Sequence, residues 1–371
     1  MKKIGFIGWR GMVGSVLIKR MQEEQDFNHF YSVFLSTSQI GSLAPNIIKD
    51  QQDLLLQDAW DIDLLSSLDI IVTCQGSVYS KIIYLKLKRI KWDGFWIDSS
   101  SFLRMHKDSV IVLDPVNQKV IDQSINNGIK VFIGGNCTVS LMLMALGGLF
   151  SQDLIEWVSV STYQAASGYG AKAMVELLMQ MGQMYNTISE FLMASKISIL
   201  DIENKITEFS KTNSILVDCF KVPLAGNVIP WIGEENIIYK GQTQEEWKGQ
   251  SELNKILNTS KIIPIDSMCV RVSSLRCHSQ SLVVKLKKDI CLLEIEKLIH
   301  SHNIWVKVIP NNFKDSLNSL TPLSISGTLD ITIGRLHKMS IGNKFLAAFT
   351  VGDQLLWGAA EPLRRILRQL L

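Results

Sequence analysis

Between Lys3 and Met21 the chain runs from a short apolar strand (Lys3 to Ile7) through a loop with glycines at 8, 11 and 14 into a helical pattern carried by Val16, Leu17, Arg20 and Met21. This unit restricts the fold more than any other stretch. A strand feeding a glycine loop and then a helix builds parallel sheet, and it sets backbone N–H groups at a helix N-terminus where a pyrophosphate can approach. The spacing is G-x-x-G-x-x-G rather than G-x-G-x-x-G, so the weight lies in its place after the first strand. The alternation then continues. Strands are expected at Tyr31 to Leu35, Asp69 to Cys74, Phe95 to Asp98, Val110 to Asp114 and Ile129 to Ile133, with helices at Tyr79 to Ile90 and Val116 to Asn127. This order predicts a doubly wound, Rossmann-like α/β domain.

The second strand ends in Ser36-Thr37-Ser38, where a fold of this kind that binds NAD carries a carboxylate for the ribose 2′-hydroxyl. No acid stands there. Hydroxyls at that point, with Arg10 in the glycine loop, favour a 2′-phosphate, and so NADP over NAD.

A different pattern follows residue 137. A strand is expected from Asp153 to Gln164, then a long helix from Lys172 to about Met193 and a further helix from Asp201 to Ser210. Val222 to Gly241 has prolines, glycines and no period, and reads as irregular. Beyond it come a helix at Glu245 to Leu257, strands at Met268 to Leu275, Ser281 to Lys287 and Trp305 to Ile309, and a helix at Leu292 to His300. This is the signature of an α+β domain with a mixed, mainly antiparallel sheet. A last strand, Phe345 to Val351, precedes an amphipathic helix from Asp353 to Leu371, expected to return to the first domain.

The two parts meet at Gly134-Gly135-Asn136-Cys137-Thr138, which ends one strand and opens the apolar run Val139 to Phe150. If that run is helical, Cys137 lies at its first turn, where free N–H groups and the helix dipole favour a thiolate. Cys137 is therefore the candidate nucleophile. Its natural base is an imidazole, and His278 stands where the strand from Cys269 ends. Alternation along that strand puts Cys269, Arg271, Ser273 and Leu275 on one face.

Composition sets limits on partners and class. A chain of 371 residues with 47% hydrophobic and 20% charged residues can bury two cores. The net charge of +3 comes from interleaved signs with no basic stripe, which argues against nucleic acid. The longest apolar run is shorter than the about 20 residues that cross a bilayer, so no membrane partner is expected. Glycines interrupt the first apolar segment where a secretory signal would need continuity. Six cysteines (74, 137, 219, 269, 277, 291) form no C-x-x-C pair, which suits a reducing cytoplasm. His300 and His302 lack nearby co-ligands, and no metal site is expected.

Seven dispersed blocks carry a resemblance: Gly5 to Ser15, Asp69 to Gly76, Gly134 to Leu149, Thr162 to Gly168, Glu245 to Gln250, Arg276 to Gln280 and Phe349 to Leu367. From Ile4 to Leu370 the chain resembles the bacterial branch of the aspartate-β-semialdehyde dehydrogenases. The resemblance implies a reversible reaction in which L-4-aspartyl phosphate is reduced with NADPH to L-aspartate 4-semialdehyde and phosphate. It also implies a cytoplasmic homodimer serving lysine/diaminopimelate, threonine and methionine biosynthesis. The implied division is an NADP-binding domain, 1–136 with 354–371, and a catalytic and dimerisation domain, 137–353.

The residue roles that follow are implied by the same resemblance. Cys137 would form the thioester, His278 would act as acid and base, and Gln164 would orient the substrate. Arg271 would hold the α-carboxylate and Glu245 the α-ammonium. Arg104, Lys248 and the Asn136 side chain would contact phosphate, and backbone N–H groups near Asn136 and Cys137 would form the oxyanion hole. Cofactor contacts would come from Gly8, Arg10, Gly11, Met12, Val13, Thr37, Ser38, Gln75, Ser167, Gly168, Ser195 and Gln354. Two positions depart from close bacterial relatives: Tyr169 replaces a small residue, and Ser195 replaces a proline that touches the cofactor. The rivals are another acyl-phosphate reductase with the same cysteine and histidine logic, and a non-catalytic NADP sensor.

Overall fold

The computed structural model describes residues 1–45, 47, 54–193, 198–212, 215–233 and 241–371. The first sheet is built from β1 (Lys3–Ile7), β2 (Tyr31–Ser36), β3 (Gln57–Asp58), β4 (Ile70–Thr73), β5 (Phe95–Asp98), β6 (Val110–Val112) and β7 (Val131–Gly134). Their order is β3-β2-β1-β4-β5-β7-β6, and every pairing is parallel. Helices α1 (Met12–Glu23), α2 (Ile62–Ser66), α3 (Ser77–Arg89) and α4 (Asp114–Asn126) cover it. Each face has its own core. Phe6, Met21, Phe30, Phe34 and Phe132 pack on one side, and Ile7, Leu65, Ile71, Ile83 and Trp96 on the other. Burial from both faces is why β4 and β7 show no polar alternation.

The strand order reverses at β1, between β2 and β4, and the crevice of such a sheet opens at the C-terminal strand ends there. Gly8 ends β1 with φ +72°, and a Cβ on it would lie 2.5 Å from the carbonyl carbon of Cys74 at the end of β4. Only glycine lets the two strand ends come this close.

The second sheet contains β8 (Ile155–Gln164), β9 (Val228–Ile229), β10 (Ile265–Val272), β11 (His278–Leu286), β12 (Val306–Val308), β13 (Ile331–Met339) and β14 (Gly342–Gly352). Its order is β12-β13-β14-β11-β8-β10-β9, antiparallel except for the β8–β10 and β12–β13 pairs. The helices of this half are α5 (Cys137–Ser151), α6 (Ala171–Met193), α7 (Ile199–Ser210), α8 (Gln244–Ile256), α9 (Leu292–His302), α10 (Phe313–Ser319) and α11 (Pro322–Ile325). α5 is buried at every position from Thr138 to Phe150. A Cβ on Gly148 would lie 2.0 Å from the Leu298 carbonyl oxygen, so α5 and α9 touch backbone to backbone on one side while β8, β11 and β14 cover another. The uninterrupted apolar run is the sequence of a helix enclosed on all sides.

Three expectations need correction. The strand around Cys269 ends at Val272, so Cys269 and Arg271 share a buried face while Ser273 and Leu275 lie beyond it. His278 opens β11 instead of closing β10, after a turn in which Cys277 takes φ +72°. β10 and β11 flank β8 on opposite sides, and their connection crosses the end of β8 by accepting the Ala166 and Ser167 N–H groups on the Ser274 and Leu275 carbonyls. The C-terminal helix is also divided. A π-helical turn, Leu356–Ala360, precedes α12 (Glu361–Gln369). Trp357 fixes this turn by donating Nε1–H to the Leu329 carbonyl at 3.0 Å and by meeting Trp305 edge-on. Leu363, Ile366 and Leu367 of α12 then join the core of the first sheet.

Candidate active site

Cys137 is the first residue of α5, and Asn136 is its cap. The Asn136 Oδ1 accepts from the Thr138 and Val139 N–H groups at 3.0 and 3.3 Å and from the Thr138 hydroxyl at 2.7 Å. Its Nδ2 donates to Glu245 Oε1 at 2.9 Å, which ties the cap to α8. Cys137 is half-buried as a residue and lines a cavity of about 360 Å³. The expectation of a lowered thiol is reversed. Burial and the Glu245 carboxylate push Cys137 up to about 12, against the pull of Arg104, Arg271 and Lys248. Gly358 of the π-helical turn backs Cys137, for a Cβ there would lie 2.8 Å from the Cys137 Cβ.

The end of β8 gathers the second half of the site. The Ala165 N–H donates to Nδ1 of His278 at 3.1 Å, and the Ala165 carbonyl accepts from Nη1 of Arg271 at 2.8 Å. One peptide residue thus holds both side chains. Because Nδ1 accepts, the neutral imidazole carries its proton on Nε2. Nε2 has no partner among the described residues, and His278 is fully buried. Burial, followed by the Arg271 charge, pushes the imidazole down to about 3 against Glu245. Gly168 leaves the approach open: a Cβ there would lie 2.9 Å from Arg271 Nη1 and 3.2 Å from His278 Nε2.

α8 supplies the opposite wall. Thr243 and Glu246 close a capping box that starts the helix, so Glu245 and Lys248 emerge from its first turns. Lys248 pairs with Glu245 at 3.0 Å, and Gln164 Nε2 donates to Glu245 Oε1 at 3.4 Å. Burial alone would raise the Glu245 carboxyl, but Lys248, Asn136 and Arg104 hold it at about 2. Arg104 reaches the cavity from the first domain, with Nε on the Gly134 carbonyl at 2.7 Å and Nη2 on the Ser99 carbonyl at 3.3 Å. A thiol, a paired carboxylate and three cations therefore surround one space, with the buried His278 imidazole directly behind its lining residue Gly168. The set suits acyl transfer on a small substrate that carries both signs of charge and a phosphate.

The family models agree. Residues 3–124 match the semialdehyde dehydrogenase NAD-binding domain, and residues 146–357 match the semialdehyde dehydrogenase dimerisation domain. The aspartate semialdehyde dehydrogenase from Francisella tularensis is 52% identical, with a TM-score of 0.94 and full coverage of both chains. The chain belongs to the aspartate-semialdehyde dehydrogenase family. The fold extends to distant structures. Aspartate semialdehyde dehydrogenase II of Vibrio cholerae, solved with ASA, matches at 21% identity and a TM-score of 0.78, over 100% of this chain and 98% of that one. The Candida albicans enzyme, solved with NADP, matches at 15% identity and a TM-score of 0.67 with the same coverage.

As an aspartate-semialdehyde dehydrogenase the chain is an oxidoreductase with an NAD(P)-binding domain and a dimerisation domain. Of the residues expected at its site, Cys137, Asn136, Gln164, Glu245, Arg271, Arg104 and Lys248 line the first cavity with Val13, Ser167, Gly168, Tyr169 and Gln354. A second cavity, about 350 Å³, is lined by Gly8, Arg10, Gly11, Thr37, Ser38 and Gln75 together with Trp9 and Ser36. His278 and Met12 line neither cavity, and Ser195 lies outside the described residues. Gln354 is engaged at both ends, accepting from the Cys277 N–H at 2.8 Å and donating to the Ser167 hydroxyl. The Asn136 N–H is taken by Glu252 at 2.7 Å, which removes it from the expected oxyanion donors. Sequence reading missed two members. Glu252 sits seven residues after Glu245 on the same helix face, and Gly358 is a glycine where a helical pattern has no evident need of one.

Proposed function

We propose that this aspartate-semialdehyde dehydrogenase reduces L-4-aspartyl phosphate to L-aspartate 4-semialdehyde with NADPH, reversibly and through a thioester on Cys137. The observation that supports it best is the Ala165 peptide, which holds both the buried His278 imidazole and the Arg271 guanidinium, the latter lining one cavity with Cys137 and Glu245. Arg271 and Glu245 form a pair suited to a free amino-acid head group, one for the α-carboxylate and one for the α-ammonium. This separates the reading from other acyl-phosphate reductases.

In the reductive direction the Cys137 sulfur bonds to the acyl carbon, the carbon–oxygen bond to phosphate breaks and the thiol proton leaves on the phosphate, with Arg104 and Lys248 taking up the leaving group. The Cys137 amide is left to meet the oxyanion, since the Asn136 amide is occupied. NADPH, when bound, supplies the hydride. His278 gives its Nε2 proton to the oxygen of the resulting thiohemiacetal and takes that hydroxyl proton back as the carbon–sulfur bond breaks and the aldehyde leaves, and the released sulfur regains its proton from water. Gln164, held by Thr162 and Glu245, orients the substrate against the thiol.

The donor set of the second cavity fits the 2′-phosphate of NADP. Among the described residues no Asp or Glu lines it, and Arg10 reaches across to the Ser36 hydroxyl at 3.1 Å. Gly8, Arg10, Gly11, Thr37, Ser38 and Gln75 would hold the adenosine phosphates, and Val13, Ser167, Gly168 and Gln354 the nicotinamide end. The domains would divide as 1–136 with 354–371 and 137–353; Cys137 falls in the interval between the two family matches. Trp157, Tyr163, Phe345 and Phe349 lie on the less buried face of the second sheet and suit a homodimer contact. The enzyme is placed in the cytoplasm, where lysine, threonine and methionine precursors are made. Among the described residues no helix is long and apolar enough to cross a membrane.

An assay of cofactor reduction with aspartate semialdehyde tests the reading. Activity should require phosphate or arsenate and prefer NADP over NAD. Phosphate-dependent activity with glyceraldehyde 3-phosphate alone would reassign the substrate, and no turnover with any aldehyde would favour a sensor.

A further inference from the structure

Glu252 lies outside the lining of the first cavity and is 2% exposed, yet its carboxylate joins two parts of the site. Oε2 accepts the Asn136 N–H at 2.7 Å, and Oε1 accepts Nη1 of Arg104 at 3.2 Å. Three of the five guanidinium N–H groups of Arg104 are then committed, to Glu252, Gly134 and Ser99, which leaves one on each Nη. A planar fork held at three corners has no rotational freedom. One turn further along α8, Lys255 donates to the carbonyls of Arg104 and His106 and to the Ser109 hydroxyl. α8 therefore grips residue 104 by its side chain and by its backbone, from the same face that presents Glu245 and Lys248.

We propose that Glu252 is a positioning residue for the phosphate step: its carboxylate fixes the distance and angle between the Arg104 guanidinium and the loop that carries Cys137. The proposal rests on the reading of Arg104 as a phosphate contact. A carboxylate is required because both neighbours are donors. An amide at 252 offers one acceptor oxygen and one NH₂, so either orientation turns a donor against a donor and releases Arg104 or the Asn136 peptide.

The test is a kinetic cycle on the full-length enzyme in the oxidative direction, with phosphate, aspartate semialdehyde and NADP varied in turn, for Glu252→Gln, Arg104→Ala and the double variant. Glu252→Gln should raise the KM for phosphate about tenfold or more, the scale of one buried donor left unpaired, while the KM for NADP stays within about threefold. In the Arg104→Ala background it should add almost nothing to the phosphate KM, because the two residues act as one unit. Additive effects, or a rise shared equally by all three substrates with a lowered Tm, would show a merely structural role and overturn the proposal. An unchanged phosphate KM in Glu252→Gln, with a raised one in Arg104→Ala, overturns the role of Glu252 alone. An unchanged phosphate KM in Arg104→Ala overturns the reading of Arg104 and the proposal with it. If Glu252→Gln is not recovered folded, Glu252→Asp keeps the charge, shortens its reach, and is judged by the same split between phosphate and NADP.

Discussion

The Ala165 N–H donates to Nδ1 of His278 at 3.1 Å and so fixes the proton of the neutral ring on Nε2. His278 is therefore a proton donor at rest. Burial and Arg271 push its pKa down to about 3, so the ring stays neutral at every pH above about 4 and charges only as the pH falls through that value. The profile of kcat/KM against pH should show no acidic limb near 6.5 from this residue. His278→Ala should cost about 10² to 10⁴ in kcat with the fold retained. A limb near 6.5 that the variant abolishes would contradict the assignment.

The Cys137 thiol and the Glu245 carboxylate oppose each other. With the thiol pushed up to about 12 and Glu245 held at about 2, the carboxylate is charged throughout the working range and the thiolate is scarce. Alkylation of the free enzyme by iodoacetamide should climb about tenfold per pH unit from 7 to 9 without a plateau. Glu245→Gln should speed alkylation at pH 8 and slow turnover of aspartate semialdehyde, since it removes a charge from beside the thiol and, with it, the partner proposed for the substrate ammonium. Slower alkylation in Glu245→Gln would refute this account of the field at Cys137.

Gly358→Ala should separate chemistry from cofactor binding. The new methyl would lie 2.8 Å from the Cys137 Cβ, well inside contact distance, and the first turn of α5 would have to shift. A displacement of about 1 Å at a nucleophile costs on the order of 10² in rate. The drop should appear in kcat, while NADPH binding, followed by fluorescence titration, changes little. Equal losses in both would locate the damage elsewhere in the π-helical turn.

Local features of this site were legible and long-range ones were not. Cys137 could be found because a strand end, two glycines, a capping asparagine and an apolar helix follow one another within twenty residues. Arg271 and His278 looked like two points on one strand, since their spacing carries no mark of the turn at Cys277 or of the crossing over β8. Pairing of β8 with β10 on one side and β11 on the other is what brings both to Ala165, and register of that kind is a tertiary choice. Glu252 shows the same limit. A glutamate on a polar helix is ordinarily solvated, and only the approach of Arg104, 148 residues away, makes it internal. β13 went unread because its pattern, Ile331, Ile333 and Leu336, is broken by the left-handed Arg335. The expected helix-dipole effect at Cys137 is outweighed first by burial and then by the Glu245 carboxylate, which act on the same sulfur.

The choice of cofactor should turn on Arg10. Its guanidinium sits 5.4 Å from the centroid of the Trp9 ring and donates to the Ser36 hydroxyl at 3.1 Å, so it is held above the floor formed by Thr37 and Ser38. A 2′-phosphate would meet this cation and those hydroxyls; a bare 2′-hydroxyl would leave the cation without a counter-charge. Arg10→Ala should raise the KM for NADP by about tenfold or more, the worth of a charge-assisted contact of about 1.5 to 3 kcal/mol, and leave the KM for NAD within about twofold. Thr37→Asp should act in the same direction by placing a carboxylate where NAD-binding relatives of this fold carry theirs. If both variants weaken NADP and NAD equally, the second cavity does not discriminate at the 2′ position and the preference must come from the nicotinamide end.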